Sequence, residues 1–220
     1  MQRIQLNGVE VNIEASENYI QINDISDENL TRIWSDIKAQ YPGYELALCF
    51  RDVPVPTNAL LAIGAEILDD CLAMRVWQDS YKPCNSLDVV PLEKADFAEF
   101  AALHDKLHPA PVMYWTSQRL LNAWDKWRIF VVWDGGKIIG YTMMLIALRD
   151  EAQGEIFVVE AESQDHCKAL ISAATGCAFA IGKSEVLFMV DRDGHHEYEA
   201  TEAVGFRKTG FYMGYAVWKV

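Results

Sequence analysis

The stretch Gly154–Ala174, GEIFVVEAESQDHCKALISAA, decides the fold. Ile156 to Ala161 is a bounded apolar run rich in Val, Ile and Phe, and it reads as a buried strand. Ala169, Leu170, Ala173, Ala174 and Cys177 then recur at helical spacing. A helix therefore begins near Gln164, with Ser163 or Asp165 as its cap. A strand that runs straight into a helix N-terminus is where parallel α/β proteins hold anionic ligands, because unbonded backbone N–H groups point out there.

Working outward, Glu185 to Val190 reads as the next strand, and Glu197 to Val204 as a short helix stopped by Gly205. Phe211 to Trp218 is a last strand. On the other side, Ile129–Trp133 and Ile138–Leu148 flank Asp134-Gly135-Gly136-Lys137, a strong hairpin signal. Before it come a strand over 88–92, a helix Phe97–Leu107 capped by Asp96, and a break at His108 to Pro111. The inner face of that helix is Phe97, Phe100, Ala101 and Leu103. A further helix, capped by Thr116 or Ser117, carries Leu120, Leu121, Trp124 and Trp127.

The N-terminal part alternates in the same way. One or two strands lie over Val9–Ile22, the second being Tyr19–Ile22. A helix capped by Asp27 presents Leu30, Ile33, Trp34 and Ile37 and stops at Pro42-Gly43. A strand over 44–50 and a turn at Val53–Pro56 follow. Thr57 caps a helix with Leu60, Leu61, Ile63, Ile67 and Leu68, and Cys71–Trp77 is a strand. The polar run DSYKPCNSLD ends this part, so the expected organisation is 1–80, a linker at 81–87, and 88–220. At a spacing of about 140 residues ELALCF falls over EVLFMV, and Ala62-Ile63-Gly64 over Ala203-Val204-Gly205. We read Tyr19–Trp77 as a half-domain copy of Ile156–Trp218; the alternative is that any two β-α-β-α-β segments align this well.

The composition, 51% hydrophobic and 23% charged, is that of a globular chain. A net charge of −13 argues against nucleic acid or an anionic membrane as partner, since both want a basic face. It suits an amine, although solubility alone explains an acidic surface. No apolar run reaches membrane-spanning length, and the N-terminus has no signal-peptide core. The five cysteines are scattered without metal spacing, so a reduced, cytoplasmic protein without a metal is expected. Cys167 at a helix N-terminus would be acidified if exposed, but neighbouring carboxylates oppose that and a buried thiol is the default. His195-His196 reads as a surface turn.

Five pieces in order resemble the acetyl-CoA-dependent N-acetyltransferase superfamily, GNAT. They are VVPLEKADFAEFAAL, IFVVWDGGKIIGYTMM, EIFVVEA, GKSEVLFMV and AVGF. The resemblance implies an α/β (α+β) fold with a mixed, mostly antiparallel sheet, in which the fourth strand splays from the parallel fifth and the CoA arm lies in the gap. It implies acetyl-CoA as cofactor, a small-molecule or peptide amine as acceptor, and backbone groups of Val158, Val159 and Glu160 along the cofactor. The family's loop Arg/Gln-x-x-Gly-x-Gly/Ala is absent. Counted from the strand, His166, Cys167 and Ala169 take its places, beside Lys168; counted from the helix, Glu162, Asp165 and Cys167 do. Both registers lack the glycines, and Glu160, Glu162 and Asp165 repel a pyrophosphate. The loop is expected to be shortened. By the same resemblance Glu155 is the candidate general base, against a solvated strand end. Tyr198 is the candidate acid, because the family's usual Tyr position holds Thr201 and its upstream Asn position holds Asp193 or Gly194. Trp115, Trp124, Trp127 and Trp133 fall in the acceptor region, as a cation–π wall or as core. Two functions follow: acyl transfer from acyl-CoA to an amine, or a GNAT-fold module that binds without catalysing.

Overall fold

The Gly135-Gly136 hairpin forms with both residues at positive φ, 54° and 80°, as a two-residue turn matched to strand twist requires. It joins β7 (Trp127–Asp134) to β8 (Lys137–Leu145). The structure, a computed structural model, describes residues 2–23, 26–51, 58–64, 66–84, 87–110, 113–148, 150–191 and 194–219. Val53–Pro56, Thr57, Pro111 and Asp193 lie outside the described residues.

Two compact units emerge: Met1–Leu72 with Gly210–Val220, and Ala73–Thr209. The segment 81–87 lies inside the second. There Tyr81 Oη donates to Ser172 O at 2.9 Å, and Cys84 N donates to Ser172 Oγ at 2.8 Å.

In the first unit, β1 (Gln2–Leu6), β2 (Val9–Glu14) and β3 (Tyr19–Ile22) are antiparallel neighbours. β3 pairs in parallel with β4 (Glu45–Arg51). Residues 213–219 of β11 (Arg207–Lys219) pair antiparallel with β4. α1 (Asp27–Gln40) buries Leu30, Ile33 and Ile37 against Ile20, Ile22, Leu46 and Leu48, which is the apolar stripe its periodicity predicts. Ser26, not Asp27, is its cap, accepting from Asn29 N at 3.2 Å. α2 (Asn58–Ile63) is shorter than expected. Gly64 ends it at φ 73°, and Ile67 and Leu68 belong to β5 (Glu66–Trp77), which is correspondingly longer.

In the second unit the order is β6 (Val89–Pro91), β7, β8, β9 (Gln153–Ala161) and β10 (Glu185–Asp191). β6 to β9 pair antiparallel, and β9 and β10 pair in parallel. α3 (Phe97–Leu107) covers one face through Phe97 and Phe100, against Tyr141, Met143 and Val158. Asp96 makes no side-chain cap there. α4 (Ser117–Asn122) is also shorter than its apolar spacing suggests: Trp124 sits in a 3₁₀ turn and Trp127 already opens β7. Asp105 of α3 caps α4, accepting from Ser117 N at 2.9 Å and from its Oγ. α5 (Gln164–Ala180) packs on α6 (His195–Val204), which ends at Gly205 with φ 103°.

Segments 19–77 and 153–219 thus share a β-α-β-α-β order, and each begins with a parallel strand pair.

Candidate active site at the parting of two parallel strands

β9 and β10 are in register from Gln153 opposite Glu185 to Ile156 opposite Phe188. There the pairing stops, although β9 runs on to Ala161 and β10 to Asp191. A bulge marks the place. Met144 faces Ile156 and Met143 faces Val158, so Phe157 is the extra residue. β9 stays paired with β8 to Ala161, while a bulge bends its strand and increases the local twist. Beyond it a cleft of about 660 Å³ opens, lined by Val159, Glu160, Ala161, Glu162, Ser163, Gln164, Cys167, Asp191, Gly194, His196 and Glu197.

The strand-to-helix connection at the mouth is only Glu162 and Ser163. Ser163 is the α5 cap: its Oγ accepts from His166 N at 3.2 Å, and its carbonyl accepts from Cys167 N at 2.9 Å. Two first-turn N–H groups that could meet an anion are thereby satisfied within the helix. Glu160, Glu162, Asp191 and Glu197 put four carboxylates on the lining. Burial, with Glu197 and Glu160 adding to it, pushes the Cys167 thiol up to about 12, so Cys167 is a protonated core residue and no nucleophile.

Of the residues read from the sequence, Val159, Glu160 and Cys167 line the cleft. Val158 points into the core under α3, and Ala169 is buried in α5. His166 and Lys168 are half-buried and do not line it. Glu155 stands in the paired part of β9, opposite Leu145 and Leu187, short of the parting. Tyr198 follows the lining residue Glu197; its Oη is buried without a hydrogen bond, and Lys208 Nζ lies 4.5 Å from its ring centre. Thr201 is buried and donates to Glu197 O. His196 lines the cleft. Trp127 is buried, and Trp115 lies 5.0 Å from it, ring to ring; Phe157, exposed on the bulge, lies 5.6 Å from the Trp127 ring.

Three polar residues behind the cleft, His104, His108 and Tyr141, were given no role from the sequence. His104 is fully buried, with Nε2 2.8 Å from Trp115 O and Nδ1 2.8 Å from Tyr141 Oη. A carbonyl only accepts, so Nε2 carries the proton and Nδ1 accepts from Tyr141. Burial holds His104 below the usual imidazole range, although the bond to Trp115 O works the other way. Burial likewise raises Tyr141. One turn on, His108 Nε2 lies 2.9 Å from Glu160 Oε1, a contact at ion-pair distance but outside hydrogen-bond geometry. The signal available in the sequence was His104 and His108 at i and i+4 on one helix face.

Solved structures match this fold along nearly the whole chain. The fold is that of the GNAT N-acetyltransferases. A GCN5-related N-acetyltransferase from Kribbella flavida is similar over 98% of this chain and 88% of its own, with a TM-score of 0.63 and 11% identity. A tandem GNAT protein from the clavulanic acid biosynthesis pathway matches over 96% and 78%, with a TM-score of 0.59 and 10% identity. A conserved protein of unknown function from Staphylococcus epidermidis matches over 99% and 94%, with a TM-score of 0.70 and 9% identity. No protein-family model and no curated protein matches the sequence. Among the described residues no group of His, Cys, Asp and Glu could hold a metal ion, and no helix is long and apolar enough to cross a membrane.

Proposed function

We propose that the Ala73–Thr209 unit transfers an acyl group from a CoA thioester to an amine. The observation that carries this is the parting of β9 and β10 beyond Ile156 and Phe188. It leaves the β10-facing backbone groups of residues 157–161 without a strand partner, and an amide-bearing pantetheine arm is the kind of ligand that can replace a strand there. Backbone groups of Val159 and Glu160 orient the arm. The carboxylates of the lining attract a cationic acceptor, small molecule or peptide, and favour its approach. Attack by the neutral amine on the thioester carbon yields an amide and free thiol. Tyr198, with its unbonded Oη, is the candidate proton source for the leaving thiolate.

One observation favours a second reading, a GNAT-fold module that binds without catalysing: the capped helix start and acidic mouth give a pyrophosphate little to hold. Losing two charge-assisted hydrogen bonds, each worth about 1.5–3 kcal/mol, moves a micromolar site to about millimolar or weaker. The test is calorimetric titration with acetyl-CoA, followed by thiol release with a panel of primary amines. Saturable binding near millimolar with amine-dependent thiol release is expected. Absence of both would leave the binding module as the reading.

A further inference from the structure

We infer that Glu160 is the base that takes the proton from the attacking amine, and that His108 is the residue that positions it. This rests on the acyl-transfer reading and adds the residues that move the proton. Glu160 belongs to both sides of the strand end. It lines the cleft, and it is the cross-strand partner of Tyr141 on β8, on the face that α3 covers. Its Oε1 lies 2.9 Å from His108 Nε2, at ion-pair distance.

His108 in turn is held from behind. It is the residue that ends α3, with its N–H bonded to His104 O at 2.8 Å. Its ring lies 5.3 Å from that of His104. His104 has no freedom: both ring nitrogens are bonded, its tautomer is fixed by Trp115 O, and it stacks on Phe100 at 5.3 Å and 15°. The row Tyr141, His104, His108, Glu160 therefore runs from a dry core to the cleft, and a carboxylate is its last member. Its buried end is fixed by the two bonds of His104, which backs the His108 ring, and a fixed position is what a base near a reacting nitrogen needs.

The chemistry balances. The amine nitrogen forms the bond to the thioester carbon as the carbon–sulfur bond breaks. The proton shed by nitrogen goes to Glu160, with His108 as the next acceptor. The thiolate leaves and takes a proton from Tyr198, giving amide and thiol. Glu155, expected to be the base, lies before the parting of the strands, whereas Glu160 lies beyond it.

The experiment is steady-state thiol release at millimolar acetyl-CoA with spermidine and with a lysine-containing peptide, on the full chain. Variants are Glu160→Gln, His108→Gln and, as a control for lost charge, the exposed Glu202→Gln. Glu160→Gln should lower kcat about 100-fold without raising KM for acetyl-CoA, since the change also removes a negative charge from the mouth. His108→Gln, which keeps a polar contact but cannot take a proton, should lower kcat about tenfold with KM unchanged. Glu202→Gln should leave both constants alone. A merely structural role would raise KM and lower kcat together. If wild type releases thiol and Glu160→Gln keeps kcat within threefold, the assignment of the base is overturned while acyl transfer stands. If acetyl-CoA binds and no amine supports release from wild type, the transfer reading falls and the assignment with it.

Discussion

Gly205 is held by two constraints at once. Its φ of 103° is a conformation that side chains resist, and a Cβ there would stand 2.1 Å from Ser80 O. The first alone costs about 1–2 kcal/mol, and the second needs a backbone shift that breaks the bond from Lys82 N to Val204 O. We expect Gly205→Ala to destabilise the protein by at least about 2 kcal/mol in chemical denaturation; a loss under half of that would show the Ser80 segment to be free to move. Two titrating residues give pH dependences of opposite hand. His104 is neutral in the fold and its value is lowered by burial. Below about 6.5 the unfolded chain therefore binds a proton that the fold refuses, and stability falls as pH drops, by up to about 1.4 kcal/mol per unit. His104→Gln should flatten the fall of the thermal midpoint between pH 7 and 5. Cys167 is the reverse case. Its thiol stays protonated to about 12 in the fold against 9.0 when free, so stability falls as pH rises through that window. Native Cys167 should resist iodoacetamide at pH 8, read by peptide mass, and react once unfolded; rapid labelling of the native protein would show the thiol to be accessible.

Among the elements, α5 carries the cleft mouth, and its start depends on one hydroxyl. Ser163→Ala removes the acceptor for His166 N and should cost about 1 kcal/mol. A larger effect on acetyl-CoA binding than on stability would mean that the freed N–H groups meet the ligand. How far the elements could be read in advance depended on what limits them. The β7–β8 hairpin was legible because a Gly-Gly turn and two apolar runs agree. β9 and α5 were legible because their periods differ sharply. β5 was misread as helix up to Leu68 because Leu60, Leu61, Ile63, Ile67 and Leu68 fit a helical stripe; Gly64 at positive φ breaks it. α4 was read too long for the same reason, Trp124 and Trp127 continuing its period across a 3₁₀ turn. β1 was missed altogether, being short and largely exposed. Of the site, the strand-to-helix junction and the carboxylates around it could be read from the letters. The row from Tyr141 to Glu160 could not, because β8–β9 register sets Tyr141 beside Glu160 and only the packing of α3 brings the two histidines over them.

At the scale of the whole molecule, the first unit is discontinuous: residues 1–72 are completed by 210–220. The strand segment 213–219 pairs with all of β4, Glu45 to Arg51. Deleting residues 210–219 would leave that edge of β4 bare, next to buried Leu46 and Leu48. We expect the shortened chain to lose cooperative unfolding of the first unit and to aggregate, and residues 1–72 alone to lack a stable fold by circular dichroism. A well-folded 1–72 fragment would show that β11 only decorates it. Timing on the ribosome is affected too. Between the end of β4 and the strand that closes it, about 160 residues must be translated, roughly 10–30 s at 5–20 residues per second. Throughout that interval the nascent chain carries an open edge, so a holdase chaperone or fast synthesis of the segment in between decides the yield of soluble protein.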